Sequence, residues 1–340
     1  MATIHDVARI AGVGIGTVSR VVNQSHGVKA ATREKVQCAI EQLKYTPDPI
    51  ARSMISRRTG SIGVIVSLFT HSSCREVLQG MEAAAARLEH QLVLYNVRDT
   101  AQRDRYFSDL PMQRKVDGII ILSLTPNEFE AQGMRESGLP VVLVDAYSPS
   151  LTSLVVKRKD GVSRVVKSLL RQGHRRIGWI TDLREENTVW NKANNMFPDF
   201  QHFLGEEGFM VELECILVNA RNRQEGRTAA FHLLSRTDRP TAIVTASALQ
   251  AVGVLEVAHA LDIAVPDALS VVGLNDVEMS EWLGLSTIQP PMNEMSEWSV
   301  RQLVDQMQKP AQAPALLTFE MTCVERHTTT DFARSWEISL

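Results

Sequence analysis

Thr3-Ile4-His5-Asp6-Val7-Ala8-Arg9-Ile10-Ala11-Gly12-Val13-Gly14-Ile15-Gly16-Thr17-Val18-Ser19-Arg20-Val21-Val22-Asn23 decides how the amino-terminal end folds. Thr3 precedes the apolar series Val7, Ala8, Ile10 and Ala11, with Asp6 three residues on, a capping-box arrangement in which Asp replaces the commoner Glu. Gly12-Val13-Gly14 then breaks the helical period and permits a sharp turn. A second short helix carries Val18, Val21 and Val22 on one face and Thr17, Ser19, Arg20 and Asn23 on the other. A third helix is predicted from Ala30 to Leu43, where Val36, Ile40 and Leu43 recur at helical spacing. Three short helices with a glycine turn between the first two describe a helix-turn-helix unit. Its second helix offers hydroxyls, an amide and a guanidinium, the groups that reach phosphates and base edges. Periodicity by itself leaves a generic three-helix bundle open.

Charge sharpens that reading. Residues 1–60 hold nine Lys and Arg against four acids, a balance of +5, so the remaining 280 residues of this −3 chain carry −8. A small basic end on an acidic body is suited to a polyanion. The chain has 340 residues, 44% hydrophobic and 22% charged, which implies two or three soluble domains with a sizeable core. No apolar run approaches the roughly 18–20 residues of a membrane span, and the first residues lack the pattern of a signal peptide. Cys38, Cys74, Cys215 and Cys323 have no metal-site or disulfide spacing, which suits a reducing cytoplasm. No cofactor or metal motif is expected.

The run from Thr3 to Val13, then Gly16 to Asn23, then Thr32-Arg33-Glu34-Lys35-Val36, resembles the headpiece of the lactose-repressor (LacI/GalR) family of transcription regulators. The resemblance implies base contacts in the major groove for Ile15, Gly16 and Arg20. It implies phosphate contacts for Thr17, Ser19 and Asn23, and places Thr3 and Thr32 in the same DNA-binding set. Ile15 and Gly16 bring no side-chain hydrogen-bonding group, so direct readout rests on Arg20 and on apolar contact, for example with a thymine methyl. Lys29 stands where the family usually has a serine cap, at a local cost of about 1 kcal/mol.

Tyr45-Thr46-Pro47-Asp48-Pro49 cannot continue a helix. The piece that follows, Ile50 to Ile55, matches a segment that in the family folds as a hinge helix on operator DNA, with Ala51 and Met54 in the minor groove and Met54 at the wedge position. An ordinary interdomain linker is the alternative.

From Ser61 onward, apolar runs alternate with amphipathic stretches. Strands are predicted at Ile62–Val66, Leu92–Tyr95, Gly118–Leu122 and Val141–Val144, then at Ile177–Ile180, Ile216–Val218, Ala242–Thr245 and Ser270–Gly273. Helical patterns such as Arg75–Leu88 and Gly161–Arg171 fill the gaps. Two such series imply an α/β fold: two subdomains of parallel strands with helices on both faces, and a ligand cleft at the carboxyl ends of the strands. Val116-Asp117-Gly118, Gly173-His174-Arg175-Arg176 and Val271-Val272-Gly273 continue the resemblance, which implies a periplasmic-binding-protein-like core with crossings near Gln172, Gln289 and Thr318. The expected organisation is a headpiece at 1–45 and a linker at 46–60. The first subdomain takes 61–172 and 290–317, the second 173–289 and 318–330, and 331–340 form a tail.

The effector-facing positions that the resemblance implies are Ser73, Ser123, Asp160, Met196, Arg221, Ser247 and Asn275. Several depart from the set used by sugar-sensing members: Met196 replaces an arginine, Ser247-Ala248 an Asn-Asp pair, Asn275 an acid and Arg221 an aromatic. Those losses point away from an ordinary sugar and toward an acidic or less polar metabolite, or toward a vestigial cleft. Trp179, Trp190 and Trp282 are candidate cleft walls, with simple core packing the commoner role of a buried tryptophan. The function expected is that of a homodimeric DNA-binding repressor on a pseudo-palindromic operator under control of a small effector. An effector-independent repressor and a solute-binding protein of the same core fold are the alternatives. Enzyme motifs such as GxSxG, a P-loop or HExxH do not occur.

Overall fold

The computed structural model describes residues 2–22, 27–45, 58–67, 72–181, 196–209, 216–217, 222–274, 278–309 and 312–330. The chain divides into two compact units, Met1–Gly60 and Ser61–Leu340.

The first unit contains helices α1 (Ile4–Ala11), α2 (Ile15–Val22) and α3 (Ala30–Leu43). The capping box forms as its sequence predicts. The Asp6 N–H donates to Thr3 Oγ1 at 3.4 Å, and the Thr3 N–H returns a bond to the Asp6 carboxylate at 3.0 Å. The Thr3 donors, together with nearby Arg9, hold the Asp6 pKa below the usual carboxylate value. Gly12 ends α1 in the left-handed region (φ 66°), with its N–H on the Ala8 carbonyl. Lys29 precedes α3 without a side-chain cap, as expected from its stem and charge. Val7, Val18 and Val36, one from each helix, are fully buried together with Ala8, Val21 and Ala39.

The second unit is built on two six-stranded sheets. The first sheet takes β1 (Ser61–Ser67), β2 (Gln91–Val97), β3 (Gly118–Leu122), β4 (Val141–Val144), β5 (Thr152–Val156) and β11 (Leu316–Phe319), in the order β11-β5-β4-β3-β1-β2. Every pairing in it is parallel. The second sheet takes β6 (Ile177–Ile180), β7 (Ile216–Leu217), β8 (Ala242–Thr245), β9 (Ser270–Leu274), β10 (Ser286–Gln289) and β12 (Thr322–Val324), in the order β12-β10-β9-β8-β6-β7. It is parallel except for β12, which runs antiparallel to β10.

Strand alternation fills both faces of each sheet. Val64, Ile120, Val142 and Val144 point to a core with α4 (Ser72–Arg87) and α12 (Met292–Gln308), whereas Ile65, Ile119, Ile121 and Leu143 meet α5 (Thr100–Gln113) and α6 (Glu128–Glu136). In the second sheet Trp179, Val244 and Val272 face α7 (Arg158–Arg171) and α8 (Phe197–Glu206). Ile180, Ile243 and Val271 face α9 (Arg223–Leu234) and α10 (Ala248–Ala260). α11 (Glu278–Trp282) follows β9. Near-continuous apolar strands buried on both faces are what a parallel sheet demands.

Two expectations are corrected. Val162, Val165, Val166 and Leu169 of α7 share a core with Ile177 and Trp179, so the first crossing between subdomains lies at Lys157 rather than near Gln172. The last falls after Phe319 rather than at Thr318, because Leu316–Phe319 pairs with β5 of the first sheet.

Candidate nucleic-acid interface and sensor site

In the headpiece, α2 buries Val18 and Val21 and turns its other face outward. Ile15 is 42% exposed, and Gly16 and Arg20 are exposed beside it. A Cβ built on Gly16 would meet nothing within 4 Å, so packing inside the unit does not require glycine there. Its bareness instead leaves room for a close approach from outside. Arg20 sits in the last turn of α2 and has no ion-pair partner among the described residues, so its five donors are available. Thr17, Ser19 and Thr32 are half-buried. The Thr3 hydroxyl is committed to the cap, donating to Asp6 Oδ2 at 2.8 Å. Asn23, Ala51 and Met54 lie outside the described residues. The result is an outward helix face with a guanidinium, hydroxyls and one apolar side chain, on a unit whose balance of charge is positive.

In the second unit, the carboxyl ends of the parallel strands gather a second polar set. Ser123 and Asp145, which follow β3 and β4, both take positive φ (54° and 56°), a conformation that ordinary residues hold only under constraint. Ser123 Oγ donates to Asp145 Oδ2 at 3.1 Å, and the Arg158 guanidinium donates to the same oxygen at 2.6 Å. The Arg158 and Asp145 side chains are only 13% and 9% exposed, so this charge-assisted bond is largely shielded from water. Arg158 opens α7, whose body packs on the second sheet, so the pair ties the two subdomains together at the first crossing. Sequence reasoning found Ser123 but missed Asp145 and Arg158; the available signal was an acid directly after the apolar run Val141–Val144.

The other expected effector positions distribute differently. Ser247 is the N-cap of α10 in a capping box with Gln250, whose side chain accepts from the Ser247 N–H at 2.9 Å. Asp160 is exposed in the first turn of α7. Ser73 belongs to the first turn of α4 by its backbone. Met196 is a correction: it is 5% exposed in the apolar core with Trp179, Phe197 and Phe200, because its thioether is worth more packed than wet. Trp179 takes the packing alternative, buried with its ring 4.5 Å from that of Phe200. Trp282 is exposed, and Arg221, Asn275 and Trp190 lie outside the described residues.

His174 lies at the opposite, amino ends of the strands. Its two ring nitrogens face Thr241 Oγ1 at 2.9 Å and Ser270 Oγ at 3.1 Å. Burial, with Arg175 adding to it, lowers its pKa, so the ring is a neutral clamp across β6, β8 and β9. Among the described residues no group of three His, Cys, Asp or Glu is placed to hold a metal ion, and no helix is long and apolar enough to cross a membrane.

Residues 3–48 match the family of bacterial regulatory proteins, lacI family, and residues 166–329 match the periplasmic binding protein-like domain. The chain is 29% identical over 332 residues to the ribose operon repressor of Haemophilus influenzae, covering 96% of this chain and 98% of the relative. It is also 29% identical over 311 residues to catabolite control protein A of Priestia megaterium, covering 90% and 93%. Its fold is similar to that of the lac repressor dimer bound to operator and the anti-inducer ONPF, with a TM-score of 0.82 and 25% identity over 96% of this chain and 98% of that one. With an outward-facing second helix in a three-helix headpiece that matches the lacI family of bacterial regulatory proteins, and a two-sheet core that matches the periplasmic binding protein-like domain over residues 166–329, the chain is a DNA-binding transcription regulator similar to the lacI-family repressors.

Proposed function

We propose that this regulator is a homodimeric repressor that reads operator DNA through α2 and is switched by a small hydroxylated metabolite at the carboxyl ends of its two sheets. The observation that carries the first part is the outward face of α2, where Arg20 has no ion-pair partner among the described residues and lies beside Ile15 and Gly16. Arg20 supplies bidentate readout of a guanine, and Ile15 supplies apolar contact with a thymine methyl. Thr17, Ser19, Asn23 and Thr32 hold the phosphates, and Ala51 and Met54 act in the minor groove. Relatives with both parts are named as repressors, and one of the solved neighbours is a dimer on operator DNA. The role is non-catalytic and cytoplasmic.

The effector reading rests on Ser123, Asp145 and Arg158. The sugar-sensing arginine and acids expected in the second subdomain are missing. However, an arginine–carboxylate pair with no net charge stands at the first crossing, on the strand ends where this fold takes ligands. A neutral pair that both donates and accepts suits a neutral polyol better than an anion. Opposing that, the Asp145 oxygen already accepts from both Ser123 and Arg158, which favours an effector-independent repressor as the second reading.

The test is operator binding by the full chain at fixed salt, with a site selected from random DNA, in the presence of neutral sugars, sugar phosphates and organic acids. A neutral sugar that shifts affinity about tenfold, or ~1.4 kcal/mol of coupling, supports the reading. A shift by organic acids alone overturns the polyol assignment, and indifference to the whole panel favours the effector-independent form. Failure to select any site overturns the regulator itself.

A further inference from the structure

At the amino ends of the first sheet, opposite the Ser123–Asp145–Arg158 set, lies a cavity of about 250 Å³. Val141 and Thr152, the first residues of β4 and β5, line it. Arg135 from the last turn of α6, Gln306 of α12 and Gln312 supply polar groups around it. Asp145 follows the other end of β4, so at about 3.3 Å per residue the cavity and the Asp145 set stand about 13 Å apart.

The lining holds one cation and no acid. Arg135 has no ion-pair partner among the described residues, and its neighbour Glu136 accepts instead from Gln132 Nε2 at 2.7 Å. A second cation stands close by: the Arg114 guanidinium donates to the Ser137 carbonyl, next to lining residue Gly138, at 3.4 Å. Thr152 is 3% exposed, and its hydroxyl oxygen accepts from Gln306 Nε2 at 2.6 Å and from the Ala315 N–H at 3.2 Å. With both lone pairs engaged, the hydroxyl proton has no acceptor among the described residues. A buried donor without an acceptor is costly, so the cavity favours an occupant that accepts. Leu139, Val141 and Leu151 give the same cavity an apolar wall, which a lone water or halide leaves unmatched.

We propose that this cavity is a second ligand site, for a small carboxylate. The carboxylate charge rests on the Arg135 guanidinium, one oxygen accepts from the Thr152 hydroxyl, and the hydrocarbon part packs on Leu139, Val141 and Leu151. A carboxylate fits better than a phosphate dianion because the lining offers one cation, whose planar fork matches two carboxylate oxygens. The volume suits an acid of a few carbons rather than a nucleotide. The site shares no residue with the effector set proposed above and stands or falls separately from it.

Methyl nuclear magnetic resonance spectra of the full chain, labelled at leucine and valine, locate binding while acetate, propionate and lactate are titrated at constant ionic strength. Saturable shifts are expected at Leu139, Val141 and Leu151, with Leu122 and Val144 at the carboxyl ends of the strands unmoved. Acetamide, propionamide and lactamide keep the shapes without the charge and are expected to bind at least tenfold more weakly. Arg135→Gln is expected to weaken the acids at least tenfold, and Arg135→Lys, which keeps the charge but loses the fork, by less. Arg135 is exposed, so both variants should fold, and their unliganded methyl spectra check this. Saturation at Leu122 and Val144 instead, amides that bind as well as acids, affinity unchanged in Arg135→Gln, or no saturable shift with any of the acids overturns the site.

Discussion

Replacing Gly253 with alanine tests how the second subdomain is assembled. Gly253 of α10 faces Gly226 of α9, and the two helices touch backbone to backbone. A Cβ on Gly253 would lie 2.3 Å from the Arg227 nitrogen and 2.7 Å from both the Arg223 oxygen and the Gly226 carbonyl carbon. These obstacles are main-chain atoms of a helix, so no rotamer relieves them, and α9 must move outward by about 1 Å to reach a carbon–nitrogen contact of ordinary length. That motion unpacks Ala229, Ala230 and Leu233 from Val254 and Val257, all of which are buried. Overpacking usually costs about 1–3 kcal/mol, and a rigid obstacle puts this site at the upper end, about 3 kcal/mol. For a lobe of this size that corresponds to a fall in Tm of about 6–12 °C. Calorimetry of the full chain, with urea unfolding followed by circular dichroism, reads the effect. A change below about 0.5 kcal/mol would show that the close crossing of α9 and α10 is not real. Gly226→Ala, whose Cβ would stop 2.8 Å from the Gln250 Cα, should act in the same direction but less strongly.

Lys29→Ser supplies α3 with the side-chain cap it lacks and should stabilise the headpiece by about 1 kcal/mol in thermal unfolding; no gain would mean that the α3 start is satisfied in another way. Arg158→Ala removes the charge-assisted bond to the shielded Asp145 carboxylate and should cost about 3 kcal/mol in urea denaturation, with Arg158→Ala/Asp145→Ala losing less than the single variant. Equal losses in the two would mean the pair contributes no coupling.

Much of this fold is readable in the residues, because each element is specified locally. The extent of α3 agrees with the helical spacing of Val36, Ile40 and Leu43, and β3, β4, β6 and β8 coincide with their apolar runs. What local pattern cannot give is the partner of an amphipathic face. The stripe Val162, Val165, Val166 and Leu169 says that α7 is a helix, but either sheet satisfies it, and so the sequence pattern does not locate the first crossing at Lys157. Short edge strands are hidden for a different reason: Leu316–Phe319 is apolar at three of its four positions, but a run of four is too short for its period to tell strand from loop. The candidate sites divide along the same line. The α2 face is legible because its buried and exposed residues alternate within eight positions. The Asp145–Arg158 pair is not legible, because it is created by the return of the chain through β5. Met196 reads as a ligand position by register alone, and only the packing of Phe197 and Phe200 around it reveals a core residue.

The most direct test of the central claim is the affinity of the full chain and of Arg20→Ala for a selected operator and for random DNA, measured at one salt concentration. If Arg20 reads a base, the substitution should cost about 1–3 kcal/mol on the operator, roughly 5- to 150-fold, and much less on random DNA, so that preference at the contacted base pair disappears. Equal weakening on both DNAs would make Arg20 a phosphate contact, and unchanged binding to both would contradict the assignment of α2 as the reading helix.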